Sequence, residues 1–261
     1  MQLSPSTRAI GQHFEFHPTI DSTNRRCKEL AEANEPHGTC VAASAQSQGR
    51  GQRGRQWASP ENSGLYVSFL IRSKLPLRLT PLITLTTAVS LTEMLKSTLS
   101  YQPGIKWPND LLDPDSRRKL AGILVEASSS AATLNYAVIG IGLNLKTSAL
   151  PSELRSYAIG LDQVTSQAFD PSSLLSGLCE RLEADLDTLL SGDSTSILTR
   201  WNASALDVGK TVGFHDGTTT IHGRFDGLNA DGGVLLDQKP YYSGELLLPG
   251  APRRPSTEHR D

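Results

Sequence analysis

Two apolar runs of strand length, Lys119 to Ala127 and Tyr136 to Leu145, are separated only by Ser128-Ser129-Ser130-Ala131-Ala132, a turn-like stretch that makes the two runs neighbouring antiparallel strands. A chain built around such a pair must supply further strands and helices to cover it. Upstream, Leu65, Val67, Phe69 and Ile71 alternate with Tyr66, Ser68 and Leu70, the period of a strand in a half-buried sheet. Leu82, Leu85, Val89, Thr92, Leu95 and Leu99 then recur at three- and four-residue steps, which predicts a long amphipathic helix packed on that sheet, after a break at Pro76 to Pro81. A shorter helix is expected from Ser22 or Thr23, either able to cap it, through Asn24 to Ala33, with Cys27, Leu30 and Ala31 on its buried face. Thr39 to Ala43 reads as a strand, Leu174 to Leu189 as a helix and Ile197 to Trp201 as the start of another.

From about Val208 the pattern changes. Glycines at 209, 213, 217, 223, 227, 232, 233 and 244 punctuate short strand-like pieces at Thr211 to Phe214, Thr218 to Phe225, Val234 to Leu236 and Gly244 to Leu248, as in a small β-barrel. The expected organisation is an α+β unit over 1–206, a small β unit over 207–250 and a disordered polar tail over 251–261. Nothing in the sequence repeats.

The chain of 261 residues carries a formal charge of -2, which argues against bulk nucleic-acid binding and makes any basic cluster a local device. Cys27, Cys40 and Cys179 form no Cys-x-x-Cys pair and fit free thiols in a reducing compartment. With no signal-peptide pattern and no apolar run near the roughly 20 residues of a membrane span, the protein is expected in the cytoplasm.

Gly49 to Trp57 is the local basic device: Gly49, Gly51 and Gly54 alternate with Arg50, Arg53 and Arg55 and end on Trp57. The glycines allow close backbone approach, the guanidinium groups match phosphate or carboxylate oxygens, and the indole offers a stacking face. A lid over a small phosphate-bearing ligand, a solvated loop and a single-stranded nucleic-acid contact are all compatible with that composition. Two other nucleotide patterns fail. Gly209-Lys210-Thr211 would need glycine at Ser204 to complete a P-loop, and Gly140-Ile-Gly142 would need glycine or alanine at Leu145 for a dinucleotide fingerprint.

Between the long helix and the next strand lies Lys106-Trp107-Pro108-Asn109-Asp110-Leu111-Leu112, followed by Lys119-Leu120-Ala121-Gly122-Ile123-Leu124-Val125-Glu126. Taken singly these are a turn, strand-edge lysines and a bulge. Together they describe a site beside a sheet: Lys119 opens an apolar strand, Gly122 lets a ligand lie on the backbone, and Asn109 with Asp110 supplies acceptors for a metal or an amine, with Asp110 equally able to pair with a nearby lysine.

With these blocks in view the chain resembles the biotin-protein ligases over nearly its whole length. Asp21-Ser22-Thr23-Asn24, Gln46 with Gly49 to Trp57, Lys106 to Leu111, Lys119 to Glu126, Gly140-Ile-Gly142-Leu-Asn144-Leu145 and the glycine-punctuated C-terminal module match in order. The resemblance implies a class II synthetase-like catalytic fold, a mixed and mostly antiparallel sheet flanked by helices, followed by an SH3-like barrel. It implies two steps: ATP and biotin give biotinyl-5'-AMP and pyrophosphate with Mg²⁺, and a lysine of a biotin carboxyl carrier domain then takes the biotinyl group.

By the same resemblance Lys119 and Arg50 face the phosphate and the biotin carboxyl. Ser22, Thr23, Asn24 and Gln46, with Gly51, Gln52, Gly122 and Gly142, surround biotin. Arg53, Arg55, Trp57, Asn109 and Asn144 join Arg50 and Lys119 at the adenylate. Asp110 and Lys106 orient the acceptor lysine, or Asp110 completes the Mg²⁺ shell. Many members read Gly-Arg-Gly-Arg where this chain has Gln52, which predicts looser retention of the adenylate. Only 21 residues precede Ser22, so the DNA-binding domain of the repressor-type ligases is not expected. The family includes homodimers formed through the central sheet. A lipoate- or octanoate-handling relative is the nearest alternative, and the Trp-Pro-Asn-Asp block and C-terminal module favour biotin.

Overall fold

The computed structural model describes residues 1–72, 76–130 and 133–254. Its larger sheet has seven strands: β1 (Phe14–Ile20), β2 (Cys40–Gln46), β3 (Gly64–Ile71), β4 (Gly104–Lys106), β5 (Asp110–Leu112), β6 (Lys119–Ser130) and β7 (Thr133–Asn144), in the spatial order β1-β2-β3-β7-β6-β5-β4. Only β1 and β2 run parallel, and every other neighbouring pair is antiparallel, so the sheet is mixed as expected. The strand β1 and the short hairpin β4–β5 lack a sequence signal of their own. The serines at 128–130, expected in a turn, extend β6, and Ala131 and Ala132 lie outside the described residues.

Helices cover both faces. The helix α1 (Thr23–Glu32) places Cys27, Leu30 and Ala31 against Val41, Leu70 and Val138. The helices α2 (Thr80–Leu99), α3 (Pro171–Leu190) and α4 (Ser194–Ser204) belong to the larger core on the other face, with Leu65, Val67, Phe69 and Ile71. Residues 65–71 of β3 are therefore buried on both faces, and the half-buried strand suggested by the alternation is corrected: Tyr66, Ser68 and Leu70 point to the α1 side, where helix and loops exclude water. Charged groups bind the three helices to one another through Arg181 and Arg200 on Glu93 and Asp185, with Ser90 donating to Asp185 at 2.8 Å. All three cysteines are buried and free, and burial pushes the Cys27 thiol up to about 12.

The C-terminal residues form a second, antiparallel sheet of β8 (Thr211–His215), β9 (Thr220–Leu228), β10 (Val234–Leu236), β11 (Lys239–Tyr241) and β12 (Glu245–Leu247), in the order β11-β10-β9-β8-β12. Both ends of that order stay open, so strand pairing among the described residues does not close the expected barrel. Arg117 holds buried Asp207 through two contacts of 3.0 and 3.1 Å, and the Trp107 indole donates to the Gly232 carbonyl at 3.2 Å. These bonds fasten the second sheet beside the β4–β5 end of the first, which is where the functional residues lie. Of the expected tail, residues 251–254 are described and packed near the Gly49 to Trp57 loop, while 255–261 lie outside the described residues. Among the described residues no helix is long and apolar enough to cross a membrane.

Candidate active site

One open cleft, with about 870 Å³ of empty space that includes some open solvent, gathers residues from segments spread between Ser22 and Arg254. Its walls include Ser22, Thr23, Asn24, Gln46, Arg50, Gly51, Gln52, Arg53, Arg55, Trp57, Asn109, Asp110, Lys119, Gly122 and Gly142. Asn144 lines a smaller adjoining cleft with Trp57 and Lys119, and Lys106 lies behind the wall.

One end of the cleft is built from uncharged groups that hold one another. The first-turn amide of α1, Thr23 N–H, donates to Gln46 Oε1 at 2.9 Å, so a side chain from β2 does the capping expected of Ser22 or Thr23. Gln46 Nε2 donates to Ser59 Oγ at 2.8 Å, and Ser68 Oγ lies 2.8 Å from Thr23 Oγ1 and 2.6 Å from Asn24 Oδ1. Asn24 reaches this position only because Gly140 has no side chain: a Cβ there would stand 2.0 Å from Asn24 Oδ1. Ser22, Thr23, Asn24, Ser59 and Ser68 are all buried, so each unmade bond would cost about 1 to 3 kcal/mol.

The floor is the cross-strand pair Gly122 and Gly142 of β6 and β7. The Trp57 indole lies directly on it, since a Cβ on Gly122 would come within 2.8 Å of that ring and one on Gly142 within 2.4 Å. The two glycines, expected to flank biotin, thus carry the indole, whose Nε1 is buried without a hydrogen-bond partner. Lys119 Nζ stands 5.2 Å from the centroid of the same ring.

The other end is charged. Lys119 Nζ lies 2.6 Å from Asp110 Oδ1, close enough for an ion pair although the angles do not make it a hydrogen bond, and Oδ1 has no other donor. Hairpin geometry explains the placement: Lys106 and Asp110 face each other across β4–β5, while Asp110 is in register with Gly122 on β6. Asn109 locks that hairpin down, its Nδ2 donating to the Ile123 carbonyl at 2.8 Å. Asn144 Nδ2 likewise donates to the Lys119 carbonyl at 3.2 Å.

The arginine loop is folded into a small hairpin over the cleft. Arg50 and Gln56 bridge, Gly51 N–H donates to the Arg55 carbonyl at 2.7 Å, and Arg53 takes a left-handed conformation at φ 56°. Two carboxylates tether its arginines. Glu126 takes Lys28 at 2.6 Å, Asn24 at 2.8 Å and Arg50 at 3.4 Å. Burial raises its carboxyl, and the hydrogen bonds from Lys28 and Asn24 with the Lys28 and Arg50 charges more than offset that, holding it below an ordinary glutamate. Glu245, on β12 of the second sheet, takes Lys106 at 2.7 Å and Arg55 at 3.4 Å, and these cations outweigh its burial in the same way.

Several of these residues carried no sequence signal. Glu245, Tyr157 and Arg254 come from segments distant in sequence, and Ser59 and Ser68 are ordinary serines until folded. Gly140 could have been found, because a Gly-x-Gly on a strand marks close approach to one face. Among the described residues no three metal-ligating side chains cluster, and Asp110 stands alone against Lys119.

Residues 16–144 match the model of the biotin/lipoate A/B protein ligase family. The bifunctional ligase/repressor BirA of Bacillus subtilis is 31% identical over 248 residues, 93% of this chain and 76% of that protein. The chain belongs to the biotin protein ligases. A biotin--[acetyl-CoA-carboxylase] ligase of Paracoccus denitrificans is 31% identical over 242 residues, 88% of this chain and 95% of that one. The biotin protein ligase of Aquifex aeolicus, solved with biotin and ATP, superposes with a TM-score of 0.78 at 28% identity, covering 90% of this ligase and 97% of that chain. The mixed sheet, the helices and the second antiparallel sheet of this ligase are thus a shared architecture, and the enzyme is a biotin ligase.

Proposed function

We propose that this ligase activates biotin on ATP and passes it to a lysine of a biotin carboxyl carrier domain. The single observation that carries this is the composition of the cleft: a neutral end whose side chains hydrogen-bond one another, joined over a glycine floor to a cluster of cations under an arginine hairpin. A neutral bicyclic urea suits the first end, and a carboxylate meeting a polyphosphate suits the second.

In the first step a biotin carboxylate oxygen bonds to the α-phosphorus, the bond from that phosphorus to the bridging oxygen breaks, and pyrophosphate leaves with the electron pair. Lys119 and Arg50 stabilise the charge gathered on the phosphoryl oxygens, for which each must exchange its carboxylate partner, Asp110 or Glu126, for the ligand. Thr23, Asn24 and Gln46 orient the ureido ring. The adjoining cleft between Trp57 and Asn144 takes the adenine, with the indole as one wall. In the second step the acceptor amine attacks the acyl carbon, AMP departs, and the amine's proton is lost. Asp110, beside Lys119, is the carboxylate placed to attract that amine.

Mg²⁺ does not fit as a resident metal, because among the described residues no three metal-ligating side chains cluster and the two carboxylates of the cleft wall, Asp110 and Glu245, are each already paired with cations. It belongs to the nucleotide substrate, whose phosphates are its usual ligands. No repressor role is included: the lid arginines Arg50 and Arg55 face carboxylates, and the molecule as a whole is slightly acidic.

Exchange of labelled pyrophosphate into ATP tests the first step. Exchange that requires biotin and ignores lipoate is expected; exchange with lipoate alone, or with neither acid, overturns the assignment.

A further inference from the structure

Lys28 lies outside the walls of both clefts, yet it meets the carboxylate that tethers the lid. Alternation along β6 puts residues 122, 124 and 126 on one face, so Glu126 stands in the same row as the Gly122 floor. Asn24 and Lys28 are one turn apart on α1 and both reach it, Asn24 Nδ2 donating to Oε2 at 2.8 Å and Lys28 Nζ to Oε1 at 2.6 Å. Arg50 comes to the same oxygen as Lys28, its Nη1 3.4 Å from Oε1 and outside hydrogen-bond geometry. The lid arginine thus has the weaker share of an acceptor already taken. Glu245 is arranged differently: there Lys106 pairs with Oε1 and Arg55 with Oε2.

Sharing one oxygen has an electrostatic consequence. Among the described residues Lys28 and Arg50 are the two cations within ion-pair distance of Glu126. Burial works against the charge of this carboxyl, and the Lys28 and Asn24 hydrogen bonds come ahead of the Arg50 charge in keeping it low. With Lys28 in place, Oε1 keeps a charged donor whether Arg50 stays or leaves. Without Lys28, the half-buried carboxylate would have Arg50 as its one counter-charge, and the guanidinium would close on it in the geometry that arginine and carboxylate prefer. A phosphate would then have to break that pair.

Building on the proposed reaction, we propose that Lys28 is a positioning residue for the activation step: by holding Glu126 Oε1 it keeps the Arg50 guanidinium available to the phosphate. Lys28 acts through Glu126 and touches no reactant.

Steady-state pyrophosphate exchange in a double-substitution cycle tests this. Lys28→Met should raise the KM for ATP about three- to fivefold, the span of one half-exposed ion pair that must now be broken. The KM for biotin should stay within about twofold, because Asn24 keeps its bond to Oε2. Lys28→Arg, which restores a charged donor to Oε1, should recover most of the loss. In a Glu126→Gln background, where the competing charge is gone, Lys28→Met should shift the KM for ATP by less than about twofold. An unshifted KM for ATP in Lys28→Met overturns the proposal, and so does a rise shared equally by biotin and ATP. An equal rise in the Glu126→Gln background also overturns it, since Lys28 would then act by its own charge or through the fold and not by freeing Arg50. Absence of biotin-dependent exchange in the unaltered chain would instead remove the proposed reaction itself, so the two failures are distinguishable.

Discussion

The two ends of the cleft hold their residues by opposite means. At the Ser22 to Asn24 end, buried neutral groups saturate one another, and Thr23, Gln46, Ser59, Ser68 and Asn24 form a continuous chain of hydrogen bonds. At the Lys119 end, cations from β4, β6 and the lid are held by single carboxylates, Asp110 buried and Glu126 and Glu245 partly exposed. The first arrangement is pre-organised and has a large penalty for any missing partner. The second can exchange partners, because a phosphate offers an arginine the same geometry as a carboxylate and more charge. The proposed reaction, which binds one small urea tightly yet releases pyrophosphate and later AMP, calls for rigidity at one end and exchangeable pairs at the other.

The largest break in this comparison is Lys119→Ala. It should lower exchange by about a hundred- to a thousandfold, the range for one pre-organised donor at developing charge, in a chain that still folds but melts lower because Asp110 is left buried without its counter-charge; activity near that of the unaltered chain would remove Lys119 from the chemistry. Gln46→Ala attacks the other end. It orphans the Thr23 amide and removes the donor to the Ser59 hydroxyl, which keeps only its bond to the Trp57 carbonyl, so the KM for biotin should rise on the order of ten- to a hundredfold while that for ATP stays put. A change confined to ATP would show that the two ends have been assigned the wrong way round.

Smaller effects sharpen the picture. Glu245→Gln leaves the buried Lys106 ammonium without its counter-charge and should cost about 1 to 3 kcal/mol in urea unfolding at neutral pH. The Glu245 carboxyl is held below the ordinary 4.5, so its contribution is complete above that value and is lost as pH falls below it. The gap between the unaltered chain and Glu245→Gln should therefore be constant at neutral pH and narrow in acid; a gap that widens in acid contradicts the pairing. The smallest effect belongs to Gln52→Arg, which adds a cation beside the adenylate. Background biotinylation of unrelated lysines should fall a few-fold, and equal background from both proteins would show that position 52 does not govern retention.

Much of the neutral end and the floor was legible because each piece is a local pattern. The helix start at Ser22-Thr23 and the apolar strands from Lys119 and Tyr136 each read correctly within a dozen residues, and the glycines at 122 and 142 lie in those strands, where they carry the Trp57 indole. The failures had physical causes. The period-2 pattern of β3 cannot show that α1 covers its second face, and a serine-rich run such as 128–130 continues a strand when the partner strand supplies the hydrogen bonds. The strand β1 has Pro18 and two charged or histidine positions, so its place in the sheet rests on parallel pairing with β2 across an intervening helix.

By itself the sequence determined the long strands and helices, the family and the residue types that line the cleft, because periodicity, capping and short motifs are properties of neighbouring residues. Tertiary structure alone decided which charge meets which. Glu245 lies 139 residues from Lys106 and 190 from Arg55, and Arg254 lies 198 from Gln56. Coulomb and hydrogen-bond energies depend on separation in space, and no local pattern encodes that a strand of the second sheet and the segment after it return to the mouth of the first.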